Sequence, residues 1–340
     1  MIVDDSTVAR AVLSRMVEVD GGFELSAVAG TAEDALDALS HVEVDVILLD
    51  LEMPGAGGLK MLPRILEAAR GARVMVVSSQ AEEGAQATVA ALGLGAADTL
   101  PKPGIGRFNG RFSEVLLAKL RALGAPAENL PARHAHGSPL RAMAPEQVRC
   151  LAIGSSTGGI HALGQFFGAL PEEIAAPILV TQHLPAPFME VFARQLGASA
   201  RRQALVAQEG MPLERDVVLI APGDGHLTVE SRSGRPVVRL DRRAAPSRCM
   251  PSVDPMLASV AEFYGATGLG IILSGMGRDG LGGAAQLVRA GGSILAQDEA
   301  TSAVWGMPKA VADAGLACAV LPPDKIARRV ASRAGESSWK

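Results

Sequence analysis

Ser156 stands at the centre of Gly154-Ser155-Ser156-Thr157-Gly158, a G-x-S-x-G spacing between an apolar run and an amphipathic stretch. In a strand–turn–helix setting this spacing exposes a serine hydroxyl on a tight turn. The N–H groups that open the next helix favour a developing negative charge. The same turn also serves as a plain Gly-rich phosphate cradle. A serine nucleophile needs a base, and the chain has 6 histidines. His41 falls in a predicted helix, His134 and His136 in a Pro-rich stretch, and His161 on the helix after Ser156, directed along its axis. His183 and His226 remain, each shortly after an apolar run. Topology favours His183, because consecutive strands usually neighbour each other, and His226 stays open. The base needs an orienting carboxylate. Asp279, in Ser274-Gly-Met-Gly-Arg-Asp-Gly280, is one candidate, and Asp224, Asp254 and Asp298 compete. Capping the helix that follows is the more ordinary use of Asp279. The order Ser…His…Asp is not that of α/β-hydrolases, so the G-x-S-x-G match is no evidence for that fold.

A second constellation lies in the first half. Asp4 and Asp5 follow the first apolar run, and Asp50 ends Val46-Ile-Leu-Leu-Asp50. In a doubly wound sheet, groups past the carboxyl ends of neighbouring strands share one crevice. Three carboxylates there repel one another unless a hard cation such as Mg²⁺ joins them. Ser78 and Lys102 end the fourth and fifth runs. A hydroxyl, an ammonium and a divalent cation around one carboxylate stabilise a transferring phosphoryl group. Asp50 is then the nucleophile that becomes an aspartyl phosphate. Each feature alone has a structural use, such as capping by Asp4 or Asp5 of a helix near Ser6. Their joint occurrence at successive strand ends favours phosphoryl chemistry.

The elements that must position these groups are legible as alternation. Apolar runs 1–3, 25–29, 44–49, 74–77 and 96–100 alternate with helix-like stretches near 6–19, 31–42, 57–70, 82–93 and 110–123. Five such units predict a parallel sheet with helices on both faces. Only three residues precede Asp4, so the first strand is short or starts upstream. Residues 124–147 carry Pro126, Pro131, Pro139 and Pro145 and read as an exposed linker. A second α/β pattern follows, with runs at 150–153, 178–181, 217–220, 269–273, 293–296 and 317–320 and helices near 158–169, 187–198, 253–264, 280–290 and 323–334. Ser233-Gly234 turns a hairpin of 227–230 and 236–240. The expected organisation is a five-stranded domain over 1–120, a linker over 121–147 and a mostly parallel, doubly wound domain with a β-hairpin over 148–340.

Composition narrows the function classes. With 340 residues, 48% hydrophobic and 20% charged, the chain is neither disordered nor a disulfide miniprotein. A net charge of −4 and 3% aromatics argue against nucleic-acid binding. Three scattered cysteines without C-x-x-C exclude a zinc ribbon or disulfide framework and fit a reducing cytosol. No basic n-region opens the chain and no apolar run approaches the ~20 residues that span a bilayer, so a cytoplasmic location without membrane insertion is expected.

Val3-Asp-Asp-Ser6, Leu49-Asp-Leu-Glu-Met-Pro54, Val76-Val-Ser-Ser79 and Pro101-Lys-Pro103 resemble the response-regulator receiver pattern. In the second half Gly154-Ser-Ser-Thr-Gly-Gly159, Thr181-Gln-His-Leu-Pro185, Ala221-Pro-Gly-Asp-Gly-His226, Pro251-Ser-Val-Asp254 and Ser274–Gly280 resemble the chemotaxis protein-glutamate methylesterases, the CheB family. The resemblance covers both domains, in the family's order. It implies a flavodoxin-like receiver with Asp50 as phosphoacceptor, Asp4 and Asp5 in the acidic pocket, and Mg²⁺ held by Asp5, Asp50 and the Glu52 carbonyl. Ser78 and Lys102 sense the phosphoryl group. Thr99 stands where receivers usually carry an aromatic, so a ring-swinging switch does not carry over. For the second domain it implies Ser156 as nucleophile, His183 as base, Asp279 as orienting carboxylate, and backbone N–H groups near Thr157 or Met276 as oxyanion donors. Arg278 replaces an asparagine found in some relatives. The implied reaction is hydrolysis of glutamate γ-methyl esters on chemoreceptor helices, with glutamine deamidation by the same route in some relatives. The implied phosphodonor is a histidine kinase, and the unphosphorylated receiver restrains the esterase. A response regulator whose output domain binds a nucleotide or other ligand is the competing class.

Overall fold

The structure, a computed structural model, describes residues 1–78, 82–102, 110–124 and 140–333. The chain divides into two compact units, Met1–Asn129 and Leu130–Lys340. Ser79, Pro103, His134, His136 and the linker stretch 125–139 lie outside the described residues.

The first unit alternates β1 (Ile2–Val3), α1 (Thr7–Val19), β2 (Val28–Ala29), α2 (Ala32–Leu39), β3 (Val46–Leu49), α3 (Gly58–Ala68), β4 (Arg73–Ser78), α4 (Glu82–Leu94), β5 (Asp98–Pro101) and α5 (Gly110–Gly124). All neighbouring strands pair in parallel, in the order β2-β1-β3-β4-β5. The strand order reverses between β1 and β3, where a doubly wound sheet opens its crevice. Ser6, and neither Asp4 nor Asp5, caps α1, its hydroxyl accepting from Ala9 N–H. The buried stripe Ala9, Leu13, Val17 then lies on the sheet at helical spacing. The expected strand 25–29 shrinks to two residues, and α5 runs four residues past the expected boundary at 120.

The second unit is built from β6 (Cys150–Ser155), α6 (Gly159–Ala169), β7 (Ile178–Gln182), α7 (Met189–Ala200), β8 (Ala204–Val206), β9 (Val218–Ile220), β10 (His226–Arg232), β11 (Arg235–Asp241), α8 (Val253–Tyr264), β12 (Gly268–Ile272), α9 (Leu281–Arg289), β13 (Ser293–Gln297), α10 (Met307–Asp313), β14 (Ala319–Leu321) and α11 (Pro323–Ala331). A seven-stranded parallel sheet has the order β14-β13-β12-β6-β7-β9-β8. Strands β6, β7, β12 and β13 are buried along their whole length, which is why they read as continuous apolar runs rather than alternation. The chain starts this sheet at β6, winds outward through β7, then returns to β12 on the other side. The crevice of this unit therefore opens where β6 meets β7 and β12. The hairpin β10–β11 forms a separate sheet. Both turn residues, Ser233 (φ 53°) and Gly234 (φ 77°), are left-handed, as a two-residue type I′ turn requires.

Residues 140–147 are not a free linker. Arg141 N–H donates to Ala317 O, Ala144 N–H to Ser293 Oγ, and the Cys318 thiol to Ala142 O. Sequence patterning missed β8 and α10. Among the described residues no helix is long and apolar enough to cross a membrane.

Close approach of α8 to β6 requires glycine at position 154: a Cβ there would stand 2.4 Å from Val253 Cγ1. Gly154→Ala is expected to cost about 1–3 kcal/mol by overpacking. Both tryptophans lie in the second unit, so urea unfolding followed by their fluorescence measures it.

Candidate active site

Ser156 directly follows β6, His183 directly follows β7, and Asp279 lies in the loop after β12. These are three adjacent strands, so the three side chains emerge at one rim. Backbone bonds fix the rim: His183 N–H donates to Ser155 O (3.0 Å) and Ser156 N–H to Ser274 O (3.0 Å). Gln182, buried, ties the two loops further. Its amide donates to Ser156 O (2.9 Å), and its carbonyl accepts from Ser155 Oγ (2.6 Å). The Ser155 hydroxyl is thus buried and engaged, whereas Ser156 is half-buried and its hydroxyl has no hydrogen-bond partner among the described residues.

His183 Nε2 lies 2.7 Å from Asp279 Oδ2. Asp279 does not cap α9. Its carboxylate sits on the N-terminus of α8, a helix distant in sequence. It accepts from Ser252 Oγ (2.6 Å), Val253 N–H (2.8 Å), Asp254 N–H (3.4 Å) and Gly280 N–H (3.0 Å). Asp254 returns the favour to α9, accepting from Gly283 N–H (2.7 Å). Of the other competing carboxylates, Asp224 is exposed and pairs with Arg242 (3.4 Å), and Asp298 accepts from Thr301.

His226 is buried with both ring nitrogens committed: Nε2–H donates to Arg243 O (2.8 Å) and Nδ1 accepts from Ser252 N–H (2.9 Å). It cannot serve as a base. Instead it positions Ser252, which holds Asp279. His161 is exposed on α6 beside Gln165.

Burial alone would lower the His183 pKa. The hydrogen bond to Asp279, the adjoining Cys249 and the charge of the carboxylate outweigh it and raise the value to about 9. Burial likewise pushes the Asp279 carboxyl up, but His183, Ser252 Oγ and Val253 N–H together hold it down, at about 2. The pair therefore favours imidazolium against carboxylate. A ligand atom each from Cys249, His183 and Asp279 lies within 4.8 Å of the others.

The loop 274–277 closes the rim. The Ser274 hydroxyl donates to Thr157 O (2.7 Å), and Gly275 N–H donates to Val304 O (3.0 Å) while its carbonyl accepts from Met307 N–H (2.8 Å). Gly158 is left-handed (φ 76°), and a Cβ there would meet Ala303 Cβ at 2.4 Å, so only glycine fits this turn. Met276 N–H has no partner among the described residues, and its side chain is exposed.

In the first unit Asp4 and Asp50 are buried and Asp5 is exposed. Lys102 Nζ donates to Asp50 Oδ2 (2.7 Å) and lies 2.9 Å from Asp4 Oδ2. That Asp4 oxygen is buried without a directed hydrogen bond. Oxygens of Asp4, Asp5 and Asp50 lie within 4.8 Å of one another. An oxygen-only donor set of three clustered carboxylates, balanced by a single ammonium, fits a hard divalent cation such as Mg²⁺. Burial raises the Asp50 pKa against the lowering effect of Lys102. Arg10 clamps the turn by donating to Asp4 O (2.6 Å) and Asp5 O (2.9 Å). The Ser78 hydroxyl pairs with Thr88 of α4.

Comparison with known proteins follows the two units. The CheB methylesterase family model matches residues 151–330, and the response regulator receiver domain matches residues 1–107. The chain belongs to the CheB methylesterase family. One relative, protein-glutamate methylesterase/protein-glutamine glutaminase 2 of Caulobacter vibrioides, is 43% identical over 98% of both chains. Protein-glutamate methylesterase/protein-glutamine glutaminase 1 of Paramagnetospirillum magneticum is 38% identical over 96% of this chain and 93% of its own. The crystal structure of the Thermotoga maritima CheB methylesterase catalytic domain is 36% identical, with TM-score 0.53, covering 54% of this chain and 98% of that one. As a CheB methylesterase with a receiver domain, the chain is a response-regulator hydrolase. A purely ligand-binding output domain is not favoured.

Within this CheB chain, sequence reasoning named Ser156, His183 and Asp279 but missed Gln182, His226 and Ser252 as the groups that hold them. Their signal was present in Thr-Gln-His, Gly-Asp-Gly-His and Pro-Ser-Val-Asp. A polar residue beside a candidate catalytic one, in a segment otherwise apolar, marks a hydrogen bond to be placed.

The charge pairing sets the sign of a titration. The His183 ring is expected to titrate above the ordinary 6.5, and Asp279→Asn to bring it back down, as followed by imidazole NMR. Because the folded-state value is raised, the pair adds stability that is complete below pH 6.5 and fades as pH climbs through the raised value. The loss of stability on His183→Gln should shrink at high pH accordingly.

Proposed function

We propose that this chain hydrolyses the γ-methyl esters of glutamate side chains on chemoreceptor helices, releasing methanol, and that phosphorylation at Asp50 controls the rate. The observation that carries the reading is the His183–Asp279 pair at 2.7 Å on the strand ends flanking Ser156. Ser156 Oγ attacks the ester carbonyl while His183 takes its proton. The hydroxyl-to-imidazole bond forms as substrate settles, since such bonds tighten in the Michaelis complex. Asp279 fixes the ring and stabilises the imidazolium. The tetrahedral oxyanion is held by backbone N–H groups near Thr157 and Met276. On collapse the carbon–oxygen bond to the methoxy group breaks, and His183 returns its proton to give methanol. Water activated by the same imidazole then cleaves the acyl-enzyme to free glutamate. A glutamine side chain enters by the same path, with ammonia as leaving group, in line with the glutaminase in the relatives' names. The raised His183 pKa places the acid limb of kcat/KM above that of an ordinary imidazole, because only the neutral ring accepts the serine proton.

In the receiver, Asp50 attacks the phosphoryl group of a phosphohistidine kinase. Asp5 and Asp50, with the Glu52 carbonyl, would hold Mg²⁺, and Asp4 stands beside them. When bound, Mg²⁺ neutralises charge on the phosphoryl oxygens. Lys102, already on Asp50, pairs with the new dianion, and Ser78 reaches it by exchanging its bond with Thr88. The reading places the enzyme in the cytoplasm, where receptor helices and kinase meet it.

Ser156→Ala is expected to lower methanol release from methylated receptor by about 10³-fold or more, since losing a triad member removes most of the catalysis. Retention within about tenfold would exclude this nucleophile. Asp50→Asn should keep the basal rate but abolish its rise with a small-molecule phosphodonor.

A further inference from the structure

The loop before α8 carries a residue that the hydrolytic chemistry does not use. Cys249 is half-buried, whereas Cys150 and Cys318 are buried, so it is the accessible thiol of the three. Its loop is tied down on both sides. Cys249 N–H donates to Ser247 Oγ (3.3 Å), Ser247 Oγ donates to Ser252 Oγ (3.0 Å), and Ser252 Oγ donates to Asp279. The chain of hydroxyls that orients the carboxylate thus also sets the thiol. Sulfur, a ring nitrogen of His183 and a carboxylate oxygen of Asp279 lie within 4.8 Å of one another.

That donor set is the chemistry of zinc. Zn²⁺ takes thiolate, imidazole and carboxylate tetrahedrally, and bond lengths near 2.0–2.3 Å put its donors about 3.4–3.8 Å apart. Reaching that spacing requires the 2.7 Å His183–Asp279 contact to open, while all three donors already lie within 4.8 Å of one another. His183 and Cys249 are both partly exposed, which leaves the site open to a fourth ligand from solvent. We propose that Cys249, His183 and Asp279 form an inhibitory Zn²⁺ site that competes directly with ester hydrolysis. Binding replaces the His183–Asp279 hydrogen bond and the thiol S–H with three metal bonds, and releases two protons to solvent, one from the Cys249 thiol and one from the His183 imidazolium. The imidazole, once on the metal, cannot take the serine proton. Mg²⁺ does not substitute, since it prefers oxygen donors. The inhibitory consequence rests on the esterase reading above, but the metal binding does not.

The test uses the full chain with Mg²⁺ throughout and Zn²⁺ titrated in. Zn²⁺ is expected to slow modification of Cys249 by a thiol reagent at least about tenfold, and His183→Ala to lose that protection although Cys249 remains. Co²⁺ in place of Zn²⁺ should show sulfur-to-metal charge-transfer absorption that Cys249→Ser lacks. In parallel, Zn²⁺ should suppress methanol release, a chelator should restore it, and Cys249→Ser or Cys249→Ala should raise the half-inhibiting Zn²⁺ concentration about tenfold or more, each variant normalised to its own metal-free rate. Unprotected Cys249, or protection that survives in His183→Ala, overturns the site. Protection with undiminished hydrolysis, or equal inhibition of wild type and both Cys249 variants, overturns the competition. A chain inactive without metal would sink the esterase reading, while thiol protection and the cobalt spectrum still decide the site.

Discussion

The buried carboxylate of Asp279 is the constraint around which the second unit is organised. A carboxylate out of water is costly unless its oxygens are fully hydrogen-bonded. Here the opening of α8 supplies the donors: Ser252 Oγ, Val253 N–H and Asp254 N–H, joined by Gly280 N–H and His183. The positive end of the α8 dipole favours the charge. The same contact serves the helix, whose first N–H groups would otherwise lack partners. Asp254, the second residue of α8, performs the matching service for α9. Two helices packed side by side each end on a carboxylate from the other's segment, and the imidazole is aimed by the first of these. Removing Asp279 is therefore expected to disturb the start of α8 as well as the hold on His183.

The two units reach their sites by the same route. In each, a parallel sheet is wound outward from a central strand in both directions, and the chemistry gathers where the winding reverses. Asp4 and Asp50 flank the reversal between β1 and β3. Ser156 and Asp279 follow β6 and β12, which flank the other. Charge management differs. In the receiver one ammonium, Lys102, spans two carboxylates, Asp4 and Asp50, and Asp5 adds a third negative group beside them. In the esterase unit a neutral hydroxyl and backbone donors surround a single carboxylate, and the His183 imidazolium balances its charge.

Most strands were readable because fully buried strands leave continuous apolar runs, and four of the receiver's strand ends were readable because Asp4, Asp50, Ser78 and Lys102 close or follow them. β8 was not, since its three half-buried residues carry no pattern distinct from a loop. α10 was hidden by its start at Met307-Pro308, which reads as a breaker although proline suits a first helical turn. Between His183 and His226 the sequence offered only topology. The decision came from hydrogen bonds: His226 uses both nitrogens on backbone groups, whereas His183 uses one on a carboxylate. Asp279 shows the opposite limit. Sequence proximity assigned it to the helix that follows, but its partner helix begins 26 residues earlier, a contact no local pattern encodes.

The His183 side chain is mostly buried but keeps 17% of its surface open at the rim, and what is open to substrate is open to cations. The donor types then sort the ions. Around Asp50 all the donors are oxygens beside an ammonium, a setting for a hard ion that keeps its waters. Around His183 the donors are nitrogen, sulfur and oxygen, and sulfur is what distinguishes a borderline metal from Mg²⁺. The difference comes from one residue, because without Cys249 the rim offers only the His183–Asp279 pair, which is already satisfied by its own hydrogen bond. A single thiol, on a loop tied by the same hydroxyls that hold the carboxylate, is what adds a soft donor to this rim.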